Sequence, residues 1–180
     1  TQNALRHITS TVAFQSNLDD QRCSVCRRSV VGKANVVSRK RSRGGVHAHG
    51  GSNEGATETL HSCPKGSNHP NCQWLFEPSP TRSGAFYIKT KGANKYMHVW
   101  MGNHNGHKMT LHSCPKGNNH ANCQWYLEQS PTRSGMYYIR SAATSLYLHS
   151  SGGTHTGATQ TLHSCPKGNN YAHCQWALQR

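Results

Sequence analysis

Acids are the scarcest chemistry in this chain: 6 Asp and Glu stand against 20 Lys and Arg in 180 residues, and no Asp follows Asp20. Catalysis by paired carboxylates, or by a nucleophile and its base, needs those groups gathered around one bond. The six acids form no cluster and no repeated pair, so an enzyme is not expected. Long apolar runs are also missing. A helical membrane span, which takes about 18 or more consecutive apolar residues, is therefore excluded. The N-terminus has no apolar stretch of the signal-peptide kind, so the sequence is expected to be a mature form. A sustained 3.6-residue period is lacking except for a weak trace over Thr1 to Leu18, which leaves an all-β chain. Hydrophobic residues make up only 33%, so something besides a core must help to hold the fold.

What the chain does have is a repeat. TLHSCPKGSNHPNCQW at 59–74 returns as TLHSCPKGNNHANCQW at 110–125 and TLHSCPKGNNYAHCQW at 161–176, a period of 51 with no slippage. The same offset aligns Tyr87-Ile88 with Tyr138-Ile139 and, more faintly, with Val36-Val37. Within one unit FYIKT, KYMHVW, MTLHSC and CQWYLEQ are short, aromatic or β-branched, and separated by Gly, Asn, Ser and Pro clusters, the signature of strands and turns. Four strands in each of three units give twelve. A propeller usually has at least four blades and a solenoid needs capping repeats, whereas three four-stranded units close on themselves as a β-trefoil. The expected organisation is an N-terminal extension, 1–27, and a trefoil, 28–180, with repeats at about 28–78, 79–129 and 130–180. Leu60, Leu111, Leu162, Trp74, Trp125 and Trp176 are assigned to its core.

Eight cysteines point to disulfides and an extracellular compartment. Each repeat has one Cys-x8-Cys pair: Cys63 with Cys72, Cys114 with Cys123, and Cys165 with Cys174. Closing a loop of about ten residues is worth on the order of 2–3 kcal/mol, so three staples would supplement a modest core. Structural zinc prefers two to four residues between paired cysteines and a second ligand pair nearby, which disfavours a metal here. Cys23 and Cys26 form a separate CxxC, readable as a redox pair, half a metal site or a bridge; with no βαβ pattern around it, a bridge within or between chains is favoured.

Fourteen histidines are present, and six recur by symmetry: His47, His98 and His149 on the second strand of each unit, and His61, His112 and His163 on the third. Two readings stay open. Such rings can hydrogen-bond backbone at strand ends, or they can supply the fixed donors and acceptors that sugar hydroxyls need. No cofactor is implied and no residue is assigned to a metal, although the histidines leave metal binding open.

The pairs Gln73-Trp74, Gln124-Trp125 and Gln175-Trp176 resemble the Q-x-W signature of ricin B-type trefoil lectins, here without the intervening residue. HAHGG at 47–51, HVWMG at 98–102 and HSSGG at 149–153, with the following Leu-His-Ser, are similar to the H-P-x-G-G and L-H-S-D segments of the mytilectin group of mussel lectins. That resemblance covers about 150 residues and implies up to three sugar sites: His47, Gly50, Gly51 and His69 in the first; His98, Trp100, Gly102 and His120 in the second; His149, Gly152, Gly153 and Tyr171 in the third. Cysteine replaces the acidic residue after Leu-His-Ser, and Met101 replaces a glycine. Galactose or GalNAc would suit the resemblance. An acidic or sulfated glycan would suit a +14 chain with no acid at these positions.

The expected function is therefore that of a secreted, agglutinating lectin for glycans on glycoproteins, glycolipids or cell surfaces. The alternative is a basic trefoil that binds heparin-like polyanion or protein as an inhibitor or growth factor would. Seven basic residues and no acids between Arg27 and Arg43 fit a phosphate- or sulfate-binding run, a solvated turn or a processing site. Nucleic acid is disfavoured because no aromatic platforms interleave that run. A homodimer through residues 1–27 would raise the valency.

Overall fold

The computed structural model describes residues 32–38, 44–49, 53–63, 69–100, 104–153, 155–168 and 171–179. The expectations for the extension 1–27, for Cys23 and Cys26, and for Gly50, Gly51 and Gly102 lie outside the described residues, as does most of the basic stretch.

Twelve strands are described: β1 Gly32–Ser38, β2 Gly44–Ala48, β3 Glu58–Ser62 and β4 Trp74–Pro78; β5 Ala85–Thr90, β6 Tyr96–Val99, β7 Met109–His112 and β8 Gln124–Gln129; β9 Met136–Ser141, β10 Tyr147–Ser150, β11 Gln160–His163 and β12 Trp176–Gln179. All pairings are antiparallel. The first and fourth strands of each set join into a closed ring in the order β1, β4, β5, β8, β9, β12 and back to β1. Closure leaves that barrel without an open edge. The remaining strands form three hairpins, β2 with β3, β6 with β7 and β10 with β11.

The hairpins meet around a threefold axis. Leu60 N–H donates to Ala158 O at 2.8 Å, Leu111 N–H to Ala56 O at 2.9 Å, and Leu162 N–H to His107 O at 2.8 Å, so each repeat is tied to another in the same way. The architecture is the expected β-trefoil.

Leu60, Leu111, Leu162 and the three tryptophans are fully buried in one core with Ile88, Met97, Ile139 and Leu148. Each indole would strand a donor there, and each is satisfied inside its own repeat: Trp74 Nε1 donates to Val46 O at 2.9 Å, Trp125 to Met97 O at 3.1 Å and Trp176 to Leu148 O at 3.0 Å. The neighbouring glutamines tie the fourth strand of a unit to its first. Gln124 Nε2 donates to Tyr87 Oη at 3.1 Å and Gln175 Nε2 to Tyr138 Oη at 2.9 Å. A Gln-Trp pair thus fixes one barrel strand both to the hairpin and to the first strand of its own unit.

The three disulfides are Cys63–Cys72, Cys114–Cys123 and Cys165–Cys174, as the spacing indicates. Each closes the loop between the third and fourth strands of its unit. The loops end in single 3₁₀ turns, Pro70–Cys72, Ala121–Cys123 and Ala172–Cys174, which pack on β2, β6 and β10.

Candidate functional site

The outer face of each hairpin carries the recurring histidines. Along β6, Met97 and Val99 point into the core, so the strand pleat sends His98 to the other face. His47 between Val46 and Ala48, and His149 between Leu148 and Ser150, are placed alike. On the third strands the buried Leu60, Leu111 and Leu162 turn His61, His112 and His163 outward. The register sets His98 opposite Thr110 and Tyr96 opposite His112, so the two histidines occupy diagonal positions on one face. Their ring centroids are 4.7 Å apart; the corresponding distances are 4.7 Å for His47 with His61 and 4.8 Å for His149 with His163.

The half-buried member of each pair is held neutral. Burial, followed by the repulsion of the partner imidazole, lowers His47, His98 and His149 from 6.5 to about 4. Nearby Glu54 opposes that shift at His98, and His69, His49, His120 and His173 add to it at their respective sites. Each ring therefore presents one N–H and one lone pair at neutral pH. His98 and His149 place Nδ1 3.4 Å from the hydroxyls of Thr110 and Thr161. His61 and His163 instead donate Nδ1–H to the carbonyls of Ser62, at 3.4 Å, and Ser164, at 3.1 Å. The backbone-bonding reading thus holds for His61 and His163, whereas His98 and His149 meet threonine hydroxyls.

Around this constant pair the rim changes from unit to unit. The position two residues after the first histidine is His49, Trp100 or Ser151. The disulfide loop brings His69, His120 or Tyr171, and the 3₁₀ turn adds Asn71, Asn122 or His173. His69 lies 5.6 Å from His47 and His173 lies 5.9 Å from His149. Trp100 and Tyr171 are the large apolar side chains left exposed among the described residues, at 47% and 49%. Trp100 stands 6.1 Å from His98 and 6.4 Å from His112, making an open aromatic wall beside the pair. His107 donates Nδ1–H to Trp100 O at 3.1 Å and so anchors the backbone behind it.

Three of the four acids among the described residues are held in ion pairs. Glu77 and Glu128 pair with Lys116 at 2.5 Å and Lys167 at 2.6 Å, linking one unit to the next. Glu58 is buried, and neither of its oxygens has a hydrogen-bond partner. Glu54 accepts Ser113 N–H at 2.9 and 3.0 Å and pairs with Lys95 at 3.0 Å. It stands behind the second site, close enough to influence both of its histidines, with its oxygens already occupied.

Of the glycines assigned by resemblance, Gly152 and Gly153 are described. Both have left-handed backbone, φ 81° and 117°, in the turn after His149, and Ser150 Oγ donates to Gly153 O at 2.5 Å. The sequence reading left His61, His112, His163, His49 and His173 out of the sites. Once each hairpin is paired in register, its two outward histidines on diagonal positions must meet.

No family model matches the chain, and no curated protein matches it. Solved structures do. The designed threefold-symmetric protein ThreeFoil superposes with a TM-score of 0.70 at 20% identity, covering 82% of this chain and 98% of its own. The Polyporus squamosus lectin, solved with Neu5Acα2-6Galβ1-4GlcNAc, gives 0.68 at 17%, covering 85% of this chain and 50% of its own. The Macrolepiota procera ricin B-like lectin, solved with lactose, gives 0.66 at 15%, covering 86% and 99%. The chain has the fold of the ricin B-like β-trefoils.

Proposed function

We propose that this protein is a secreted, non-catalytic lectin that binds glycans at its histidine-pair sites, with the second repeat forming the principal one. The observation that carries this reading is the exposed indole of Trp100 beside two imidazoles on one rigid hairpin face. A sugar ring offers an apolar face to an aromatic wall and hydroxyls to fixed donors and acceptors, and this arrangement supplies both. The same scaffold carries lactose in the Macrolepiota protein and a sialylated trisaccharide in the Polyporus protein, which makes galactose-containing glycans the first ligands to try. The third repeat, with Tyr171 and the His149–His163 pair, is the second site. Two or three weak sites on one scaffold would gain orders of magnitude on a glycan-covered surface, enough to agglutinate cells.

The test is binding to immobilised neutral galactosides, sialosides and sulfated chains, at low salt and at about 0.15 M, where exposed charge contacts are screened. Retained binding to one epitope, weakened about tenfold or more by Trp100→Ala through loss of stacking, supports the reading. Binding confined to sulfated chains and lost with salt would leave a basic polyanion-binding trefoil. Binding indifferent to Trp100→Ala would overturn the second site.

A further inference from the structure

The first repeat departs from the other two in a way that suits a metal ion better than a sugar. It has no aromatic wall; His49 stands where Trp100 does, and His69 where the third repeat has Tyr171. Three further imidazoles surround His47 of the β2–β3 hairpin. The His47 and His61 centroids are 4.7 Å apart and those of His47 and His69 5.6 Å, with His49 at 6.4 Å from His47. Ligand atoms of His47, His69 and Cys72 all fall within 4.8 Å of one another. Cys72 is bonded to Cys63 and provides no thiolate, which leaves His47 and His69 of that group; His61, whose ring lies 4.7 Å from His47 on the other side of the hairpin register, is the third candidate ligand.

A second observation concerns His47 itself. His98 and His149 set Nδ1 against a threonine hydroxyl, whereas His47 Nδ1 is buried and has no hydrogen-bond partner. His61 has the complementary arrangement: its Nδ1–H donates to Ser62 O, which leaves Nε2 as a bare lone pair. A backbone carbonyl holding the far nitrogen of an imidazole is the support that metal-ligating histidines usually have. From this geometry we infer that His47, His61 and His69 form a tris-imidazole site for one divalent transition metal ion of the zinc, nickel or copper class, with a fourth position open to water. Imidazole nitrogens select such ions over calcium or magnesium, which require oxygen ligands. Nitrogens bound at about 2.0–2.1 Å to a tetrahedral ion lie closer together than these do, so binding would draw His61 and His69 toward the half-buried His47.

The inference does not rest on the lectin reading, although an ion here would use His47 and His69 of the first proposed sugar site. Co²⁺ titration of the metal-free protein reads it directly, because tetrahedral cobalt gives strong visible absorption whether or not a glycan binds. One equivalent is expected, displaced by Zn²⁺, together with a thermal transition raised by Zn²⁺ and lowered again by chelator. His69→Tyr, which copies the third repeat, and His61→Asn should each weaken Co²⁺ binding about tenfold or more. His112→Asn and His173→Asn should leave it unchanged. Both first-site variants retaining full cobalt affinity, or His173→Asn abolishing it, would overturn the assignment, as would a protein with no cobalt spectrum at all.

Discussion

Glu58 is the residue whose replacement should most clearly improve this protein. It opens β3 between Thr57, bridged to Thr110, and Thr59, bridged to Thr159, so its side chain sits where the three hairpins converge. It is 0% exposed, and neither carboxylate oxygen has a hydrogen-bond partner. The other two units place Met109 and Gln160 at this position, both buried. Burial pushes the Glu58 carboxyl well above the usual carboxylate range. For a group raised on folding, the stabilising contribution is complete below the unfolded pKa and is lost as pH rises through the folded one. Wild-type protein is therefore penalised increasingly from mildly acidic to alkaline pH. Glu58→Gln keeps the shape and cannot ionise, so it removes the cost of an unpaired buried charge and should be more stable at pH 7–8 by about 1–3 kcal/mol. In a chain of this size that corresponds to about 2–4 °C in Tm for each kcal/mol. Thermal melts of both proteins from pH 4.5 to 8 would show the gain growing with pH and shrinking toward zero near pH 4.5. The histidines are common to both chains and cancel in the difference. A variant no more stable than wild type at pH 8, or a gain that does not change with pH, would refute the argument.

The central histidines titrate in the opposite sense. His47, His98 and His149 resist protonation down to about 4, so stability should fall as pH drops from 6.5 toward 4, by about 1 kcal/mol per ring after discounting for their partial exposure. Replacing all three with Asn should flatten that slope, and an unchanged slope would rule the rings out as its source. The staple of the second repeat is separable from its chemistry. Cys114→Ser with Cys123→Ser should cost about 2–3 kcal/mol in urea unfolding and weaken glycan binding, because the loop it closes carries His120 beside β6. Full binding by a destabilised double variant would show that this loop is not part of the site.

Fold and site were legible to different depths for physical reasons. Strand pattern, period and cysteine spacing are local, and they carried the twelve strands, the core tryptophans and the three disulfides. Partner choice between strands is not local. Nothing in the letters shows Gln124 reaching Tyr87 or Gln175 reaching Tyr138, since those contacts appear only when the barrel closes. The same limit hid the histidine pairs: His98 and His112 are 14 positions apart and meet only through hairpin register. The glycine-rich segments match a short motif and so point to a site, whereas the recurrence of His61, His112 and His163 leaves their role open until the hairpins are paired. His173 was missed because it replaces an asparagine in one unit alone.

The pattern of constancy and change bears on how the three sites divide their work. Tryptophan, leucine, cysteine and the histidine pair are invariant among the units, and each has a structural partner that explains why: an indole held by a carbonyl, a threefold core, a staple, a hairpin diagonal. The rim positions 49, 100 and 151, and likewise 69, 120 and 171, have no such partner in common, and they are where the units differ. An identical scaffold with three different rims is what duplication leaves when the fold constrains the floor of a site and not its wall. The floor, a pair of imidazoles, can accept either a hydroxyl or a metal ion, because a hydroxyl takes a lone pair or an N–H at a fixed place and a metal ion takes a lone pair. The wall decides between them: the indole of Trp100 favours a ring to stack on, and further imidazoles at His69 and His49 favour a cation. Exchanging these positions tests the division. His49→Trp with His69→Tyr should remove cobalt binding from the first repeat while adding glycan avidity, and a double variant that gains no glycan binding would show that the floor of the first site is not equivalent to that of the second.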